Sequence, residues 1–375
     1  VWPASTKELF TCATVRYPST RNAAAMVMTA TASRLAPNAS IYLYGARVEG
    51  IHSACFVTGG AGDRKGNEQG DTFHPAVPRD LFTDPEIVST SRCGGFAVAR
   101  CLRKETLAEE TSDGKAQDVS RKKNPGSSME AFRKTATLVL PASDSSPNGG
   151  ETTTVTDWHT YPGLFAGGGL DVMTNVLLKA MPGKFGLDRN HENAPFTVLD
   201  YCAGSGVLAA ALQSRIPQNS VLTLCDADSV ALHCARENFV VNAHHTQRTV
   251  VVPSDCFGGL SPTETFDLIV SNPPVHLGLQ SEFTVLRQLL CECVNRLNNG
   301  GTCWLVAQRY VPVAAMAHEE NVDVACAFAD DKFAAWVLRK GSSDSEEKSD
   351  TKEGTTSKKD KKDKKEQKEK KEKKK

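Results

Sequence analysis

The sequence predicts an α/β protein whose larger part is a doubly wound parallel sheet with an antiparallel edge hairpin, preceded by a smaller α/β segment. Three features carry this expectation. After residue 196, short apolar runs alternate with stretches of helical period, the pattern of strands joined by crossover helices. The last two apolar runs, 322–328 and 333–338, are separated by a short polar turn and read as a hairpin, an edge feature such sheets often carry. Before residue 158 the regular pieces are fewer, and long polar stretches break them up.

In chain order, Ala23–Leu35 reads as a helix, Ile41–Tyr44 as a strand and Gly95–Cys101 as a further short globular piece. Two stretches, Gly59–Pro85 and Glu105–Gly150, are rich in Gly, Asp, Ser and Pro without sustained period and read as linkers or insertions. The regular part then runs as strand Thr197–Asp200, helix Val207–Arg215, strand Val221–Asp226, helix Val230–Asn242, strand Thr249–Pro253 and strand Phe266–Ser271. Helix Phe283–Leu297 follows, closed by Asn298-Asn299-Gly300-Gly301, then strand Thr302–Ala307 and the hairpin. The expected organisation is a small domain over 1–157, a larger one over 158–340 and a solvated tail over 341–375.

Composition narrows the function classes. The formal charge is zero, from 44 Lys+Arg against 44 Asp+Glu. From Gly341 onward, however, 14 Lys face 10 acids, which leaves the first 340 residues at −4. The tail lacks apolar residues and cannot build a core. It reads as a solubilising segment before it reads as an RNA tether, because its acids dilute its field. No apolar run approaches the ~18–20 residues that cross a bilayer, so no membrane span is expected. Nor does a charged segment precede an apolar core near the start, so no secretory signal is expected. The twelve cysteines are scattered without a C-x-x-C. They read as reduced core residues of an intracellular protein, cytoplasmic or mitochondrial, and no metal site is expected.

The chemistry concentrates at strand ends, where ligands of open α/β sheets bind. The first strand of the regular part ends Asp200-Tyr201-Cys202-Ala203-Gly204-Ser205-Gly206. Gly204 and Gly206 permit a tight turn and a close backbone approach to a ligand. Asp200 would repel a pyrophosphate but suits a ligand with an ammonium group. Asp226, at the next strand end, is placed to accept from ribose hydroxyls, and Asp255, after the third, from an adenine amine. The fourth strand ends Ser271-Asn272-Pro273-Pro274. A conjugated amine or amide nitrogen is a poor nucleophile because its lone pair is delocalised. Acceptors aimed at its N–H groups, here the Asn272 side-chain carbonyl and the Pro273 backbone carbonyl, favour pyramidalisation and free that pair. The two prolines hold the preceding backbone extended.

Asp-x-x-x-Gly-x-Gly together with Ser-Asn-Pro-Pro resembles the class I S-adenosylmethionine-dependent methyltransferases that modify exocyclic or amide nitrogen. His159-Thr160-Tyr161-Pro162-Gly163-Leu164-Phe165, with Gly169-Leu170-Asp171, is similar to the lead-in of bacterial small-subunit rRNA guanine-N2 methyltransferases. Ser271 to Gln280 resembles that family's catalytic loop, and Ile41 to Ala54 faintly resembles its first, cofactor-free domain. The resemblance implies a Rossmann-like class I methyltransferase sheet preceded by a degenerate copy. It implies S-adenosylmethionine as cofactor and rRNA or a ribosomal subunit as partner. It places Phe165, Asp171, Asp200, Gly204, Gly206, Asp226 and Asp255 around the cofactor, Asn272, Pro273 and Pro274 in catalysis, and Val275 and His276 against substrate. Two residues depart from the family. Cys202 stands where it usually has glycine, and Val275 where an aromatic residue stacks on the target base, a contact worth roughly 1–3 kcal/mol.

Two other functions share parts of the pattern. A protein N5-glutamine methyltransferase also uses Asn-Pro-Pro, and a non-catalytic RNA-binding factor of ribosome assembly could keep the fold as a scaffold. Elsewhere, His244-His245 is expected at a helix end as capping residues, Lys332 as a surface charge, and Trp158, Trp304 and Trp336 in the core or an interface.

Overall fold

A computed structural model describes residues 9–18, 20–46, 77–90, 96–105, 129–142, 152–187, 194–241, 247–277, 280–281 and 283–340. His244-His245 and the tail lie outside the described residues.

The N-terminal elements are β1 (Phe10–Arg16), α1 (Arg21–Ala32), β2 (Leu35–Ala46), β3 (Glu86–Thr90) and β4 (Phe96–Leu102). They form a four-stranded sheet of order β1-β2-β4-β3, with β1 parallel to β2 and the other pairs antiparallel. Thr20 caps α1 by accepting the Ala23 N–H at 3.2 Å. The expected helix to Leu35 stops at Ala32, because Leu35 pairs with Phe10 as the first residue of β2. The stretch read as a linker over Gly59–Pro85 contributes to the core where it is described. Val77, Leu81 and Phe82 are buried against Met28, Ile41 and Ala99.

The second expected insertion, Glu105–Gly150, likewise contains structure. β5 (Lys134–Leu140) pairs antiparallel with β6 (Thr153–Thr160), a strand that runs across position 157. Its signal in the sequence is faint because only Leu138 and Leu140 are buried, on one face, with Val155 and Trp158. Trp158 and Trp304 are core residues and Trp336 is half-buried.

The remaining elements are α2 (Val172–Ala180), β7 (Thr197–Tyr201), α3 (Val207–Leu212), β8 (Val221–Asp226), α4 (Ser229–Val241), β9 (Arg248–Pro253), β10 (Phe266–Ser271), the short pair β11 (His276–Leu277) and β12 (Gln280–Ser281), α5 (Thr284–Arg296), β13 (Leu297–Gln308), α6 (Val313–Glu319), β14 (Val324–Ala329) and β15 (Phe333–Arg339). Seven strands form one sheet of order β14-β15-β13-β10-β7-β8-β9. β13, β10, β7, β8 and β9 run parallel, while β15 and β14 form the antiparallel edge. This is the doubly wound sheet with an edge hairpin that the sequence predicts. Strand alternation splits its side chains between two layers. Val198, Leu222, Leu268 and Val306 face α2 and α3; Leu199, Ile269 and Leu305 face α5 and α6. Cys291 is exposed and Cys293 buried, so the closest cysteine pair faces apart, and the described cysteines are free thiols. No described helix is long and apolar enough to cross a membrane.

Among the described residues, two of the contacts that join the chain's parts rest on a single position each. Met26 of α1 shares a core cluster with Tyr161, Leu164 and Cys234, and Gly163 (φ +90°) is required there, since a Cβ would lie 2.8 Å from that of Ala23. Buried Arg215 donates to the carbonyls of Leu178 (2.6 Å) and Pro141 (2.8 Å), tying the β5–β6 hairpin to the end of α2. Arg215→Ala strands both carbonyls and is expected to lower stability by about 2–4 kcal/mol, read from the urea unfolding midpoint. An unchanged midpoint would show that water replaces the guanidinium.

Candidate cofactor and substrate cleft

The sheet order reverses between β7 and β10: from β7 the chain steps to β8 and β9 on one side, then returns to β10 on the other. A cleft of about 490 Å³ opens at the carboxyl ends of these strands. Its walls include Phe165, Gly204, Asp226, Asp255, Asn272 and Pro273.

The turn from β7 into α3 shapes the floor. Cys202, Gly204 and Gly206 all hold positive φ, at 62°, 56° and 91°. A Cβ on Gly206 would lie 2.6 Å from the Phe239 ring, so helix α4 packs onto bare backbone. Cys202 adopts the left-handed conformation that glycine reaches freely, at a cost of about 1–2 kcal/mol. Burial raises its thiol pKa well above the usual range, and raises that of Cys225 to about 12. Both therefore line the cleft as small neutral groups rather than nucleophiles.

Asp226 sits on the wall. Its carboxylate accepts the N–H groups of Gly204 and Asp228, each at 2.8 Å, which ties the β7–α3 turn to the start of α4. Burial raises its pKa, and those two N–H groups oppose the rise. Asp200 lies beneath the turn rather than among the lining residues. One oxygen accepts the Ala209 N–H at 3.0 Å; the other is buried without a partner. Burial pushes its pKa up to about 8, against the pull of that N–H, and neighbouring Asp226 adds to the rise. Asp255 is exposed at the rim, following Ser254, whose N–H donates to the Asp226 carbonyl.

Across the cleft, Asn272 is held by its amide nitrogen. Nδ2 donates to both Asp171 oxygens (3.1 and 3.3 Å) and to Thr174 Oγ1 (3.0 Å). Asp171 also caps α2 by accepting the Thr174 N–H at 2.6 Å. Asp171 is therefore not a lining residue but the support of one. A carboxylate only accepts, so it fixes the NH₂ side of the amide and leaves Oδ1 as the group offered to the cleft. Pro273 is buried and Pro274 exposed, both lining the cleft. Val275 lines it too but is only 3% exposed, packed in the core layer of Leu199 and Ile269, so little of it can face a base. His276 begins β11, and its side chain lies outside the described residues.

Phe165 stands at the lip, 70% exposed, in a short turn followed by three residues of positive φ. The turn is anchored through the Gly168 carbonyl, which accepts from Trp158 Nε1 (2.7 Å) and Ser205 Oγ (2.9 Å). Sequence reasoning missed Thr174, Ser205 and Gln308, which also line the cleft. The spacing of Asp171 and Thr174, three apart at a helix start, was a readable signal. So was the place of Gln308 at a strand end.

Residues 156–336 match the family described as Methyltransferase small domain. The "Ribosomal RNA small subunit methyltransferase C" of Cronobacter sakazakii is 35% identical over 156 residues, covering 41% of this chain and 40% of that protein. The protein of the same name from Klebsiella pneumoniae is 34% identical over 160 residues, covering 43% of this chain and 42% of that protein. The chain thus spans about two fifths of the length of these curated relatives. Among solved structures, the T. thermophilus 16S rRNA N2 G1207 methyltransferase, in complex with AdoMet and guanosine, aligns with a TM-score of 0.59 and 19% identity. That alignment covers 90% of this chain and 74% of the other, a likeness of fold.

The state of Asp200 has a measurable consequence. A carboxyl whose pKa rises from 3.8 to about 8 on folding costs stability increasingly across that interval, and the full cost is present above it. Asp200→Asn removes the titration. Its melting temperature relative to the unsubstituted chain is expected to climb between pH 5 and 8; parallel pH profiles would show that Asp200 is solvated.

Proposed function

We propose, from the premise that residues 156–336 carry a methyltransferase small domain, that the chain is an S-adenosylmethionine-dependent methyltransferase acting on guanine N2 of small-subunit rRNA. The reading is supported by the names of the relatives and by the AdoMet and guanosine of the T. thermophilus structure. The single observation in this chain that carries it is the clamped amide of Asn272. An rRNA substrate places the protein inside the cell.

The residues present suit that cofactor. Asp226 offers carboxylate lone pairs to a vicinal diol on the wall, Asp255 an acceptor at the rim, and Phe165 an aromatic face at the lip. The neutral thiols and bare turn backbone leave the space between them uncharged. Asp200 has a buried oxygen without a partner beneath the turn, and burial drives it toward the neutral form, so a cation bound nearby would favour its carboxylate. S-adenosylmethionine, when bound, supplies an electrophilic methyl group.

Everything else falls to this chain's own groups. Asn272 Oδ1 accepts from the N2 amine of guanine, with the Pro273 carbonyl as second acceptor, and together they turn the nitrogen lone pair toward the methyl position. Asp171 and Thr174 keep the amide from flipping; a flipped amide would present N–H to N–H and repel the amine. No described side chain is required as a strong base, because the amine becomes acidic once alkylated and sheds its proton to water. Pro273 and Pro274 set the backbone so that the acceptor pair stays in place. The N-terminal sheet is assigned to RNA recognition.

Asn272→Ala should lower methyl transfer to small-subunit rRNA by about two orders of magnitude or more while leaving S-adenosylmethionine affinity unchanged. Asp171→Ala should give a smaller fall in kcat, again without loss of cofactor affinity. Turnover that survives Asn272→Ala would refute the orientation mechanism. Cofactor binding without transfer by the unsubstituted chain would instead favour an RNA-binding scaffold.

A further inference from the structure

A second hollow, of about 370 Å³, lies beside the cleft where β13, β14, β15 and α6 meet. Gln308 lines both spaces, so the two share a wall. The floor is apolar, built by Val311, Val313 and Ala334, and half-buried Trp336 forms one side. Exposed Arg309 stands among the lining residues, and its N–H donates to the carbonyl of exposed Lys332 at 2.8 Å, which brings two cationic side chains to one end of the hairpin. The nearby Asp330 carboxylate accepts the N–H groups of Lys332 and Phe333 and lies in the field of Lys332 and Arg309, so it offsets part of their charge. The Gln308 side-chain oxygen is buried with no hydrogen-bond partner. A buried amide oxygen without a partner is costly unless something donates to it.

An aromatic wall, an apolar floor and a guanidinium at the edge are the parts that hold a nucleobase and its phosphate. We propose that this hollow takes the base of the nucleotide adjacent to the target in the same RNA strand. That base stacks on Trp336 with its phosphate toward Arg309, and Gln308 accepts a base N–H at the wall between target and neighbour. The inference rests on the guanine-N2 reading of the cleft and extends it from one nucleotide to two. Continuity through Gln308 and charge complementarity at Arg309 select an RNA strand as the occupant.

The test uses the full chain with S-adenosylhomocysteine present and compares the affinities of GMP and the trinucleotide UpGpU by calorimetry. The unsubstituted chain should bind UpGpU at least about tenfold more tightly than GMP, within the range of one base–aromatic stack. Ala315→Trp fills the hollow from an exposed position of α6 without adding charge, and Arg309→Glu reverses the charge at its edge. Both should bring the ratio close to one while GMP and S-adenosylmethionine bind as before, which also shows that the variants are folded. A trinucleotide that binds no better than GMP, or an advantage that survives both substitutions, overturns the subsite and leaves the cleft reading standing. Cofactor binding with no affinity for GMP or UpGpU overturns both. Dinucleotides GpU and UpG then report on which side of the target the neighbour lies.

Discussion

Between β7 and α3 the chain has five residues, Cys202–Gly206, in which to turn from strand to helix between two carboxylates. The turn is possible only with backbone in the left-handed region at three of them, and it is held there from both sides. Asp226 takes the Gly204 N–H, Asp200 takes the Ala209 N–H, and the Phe239 ring closes on Gly206 where no side chain fits. Ser205 then reaches to the Gly168 carbonyl and fixes the lip that carries Phe165. Both the floor and one wall of the cleft follow from that turn.

The opposite wall depends on a helix start. Asp171 ends the lead-in as the cap of α2, and with its remaining capacity it holds the Asn272 amide. One carboxylate therefore sets the position of α2 and the orientation of the acceptor that faces the cleft. The order of strands makes the two walls meet. β10 pairs with β7 in parallel register, Ser271 beside Tyr201, so the Asn-Pro-Pro loop leaves the sheet at the same level as the turn.

The molecule carries its buried charges in different ways. Arg215 is compensated by two carbonyls, and so works as a staple between the hairpin and α2. Asp200 has one donor for two oxygens, and burial drives it toward the neutral form. Gln308, uncharged but unpartnered at Oε1, belongs with Asp200 rather than with Arg215. Asp200 beneath the turn and Gln308 on the cleft wall each leave one oxygen without a donor, whereas the Arg215 guanidinium is satisfied by protein carbonyls.

Local pattern in the sequence determined the strands and helices of the regular part, because its central strands β7, β8 and β10 are buried on both faces and read as short continuous apolar runs. It also determined the chemistry at the strand ends, because Asp226, Asn272 and the paired glycines must stand where they do along the chain whatever surrounds them. The Gly59–Pro85 and Glu105–Gly150 stretches hid Phe82 and β5, since so few apolar residues in a polar stretch acquire meaning only from the surface they cover. The difference between a wall and its support was likewise invisible. Asp171, through the family resemblance, and Asp200, by its type and place, read as ligand contacts, yet packing sets one behind Asn272 and the other under the turn. Only the tertiary structure decided that Val275 turns into the core and that Gln308 and Trp336 border a second hollow, because those facts depend on which strand lies next to which.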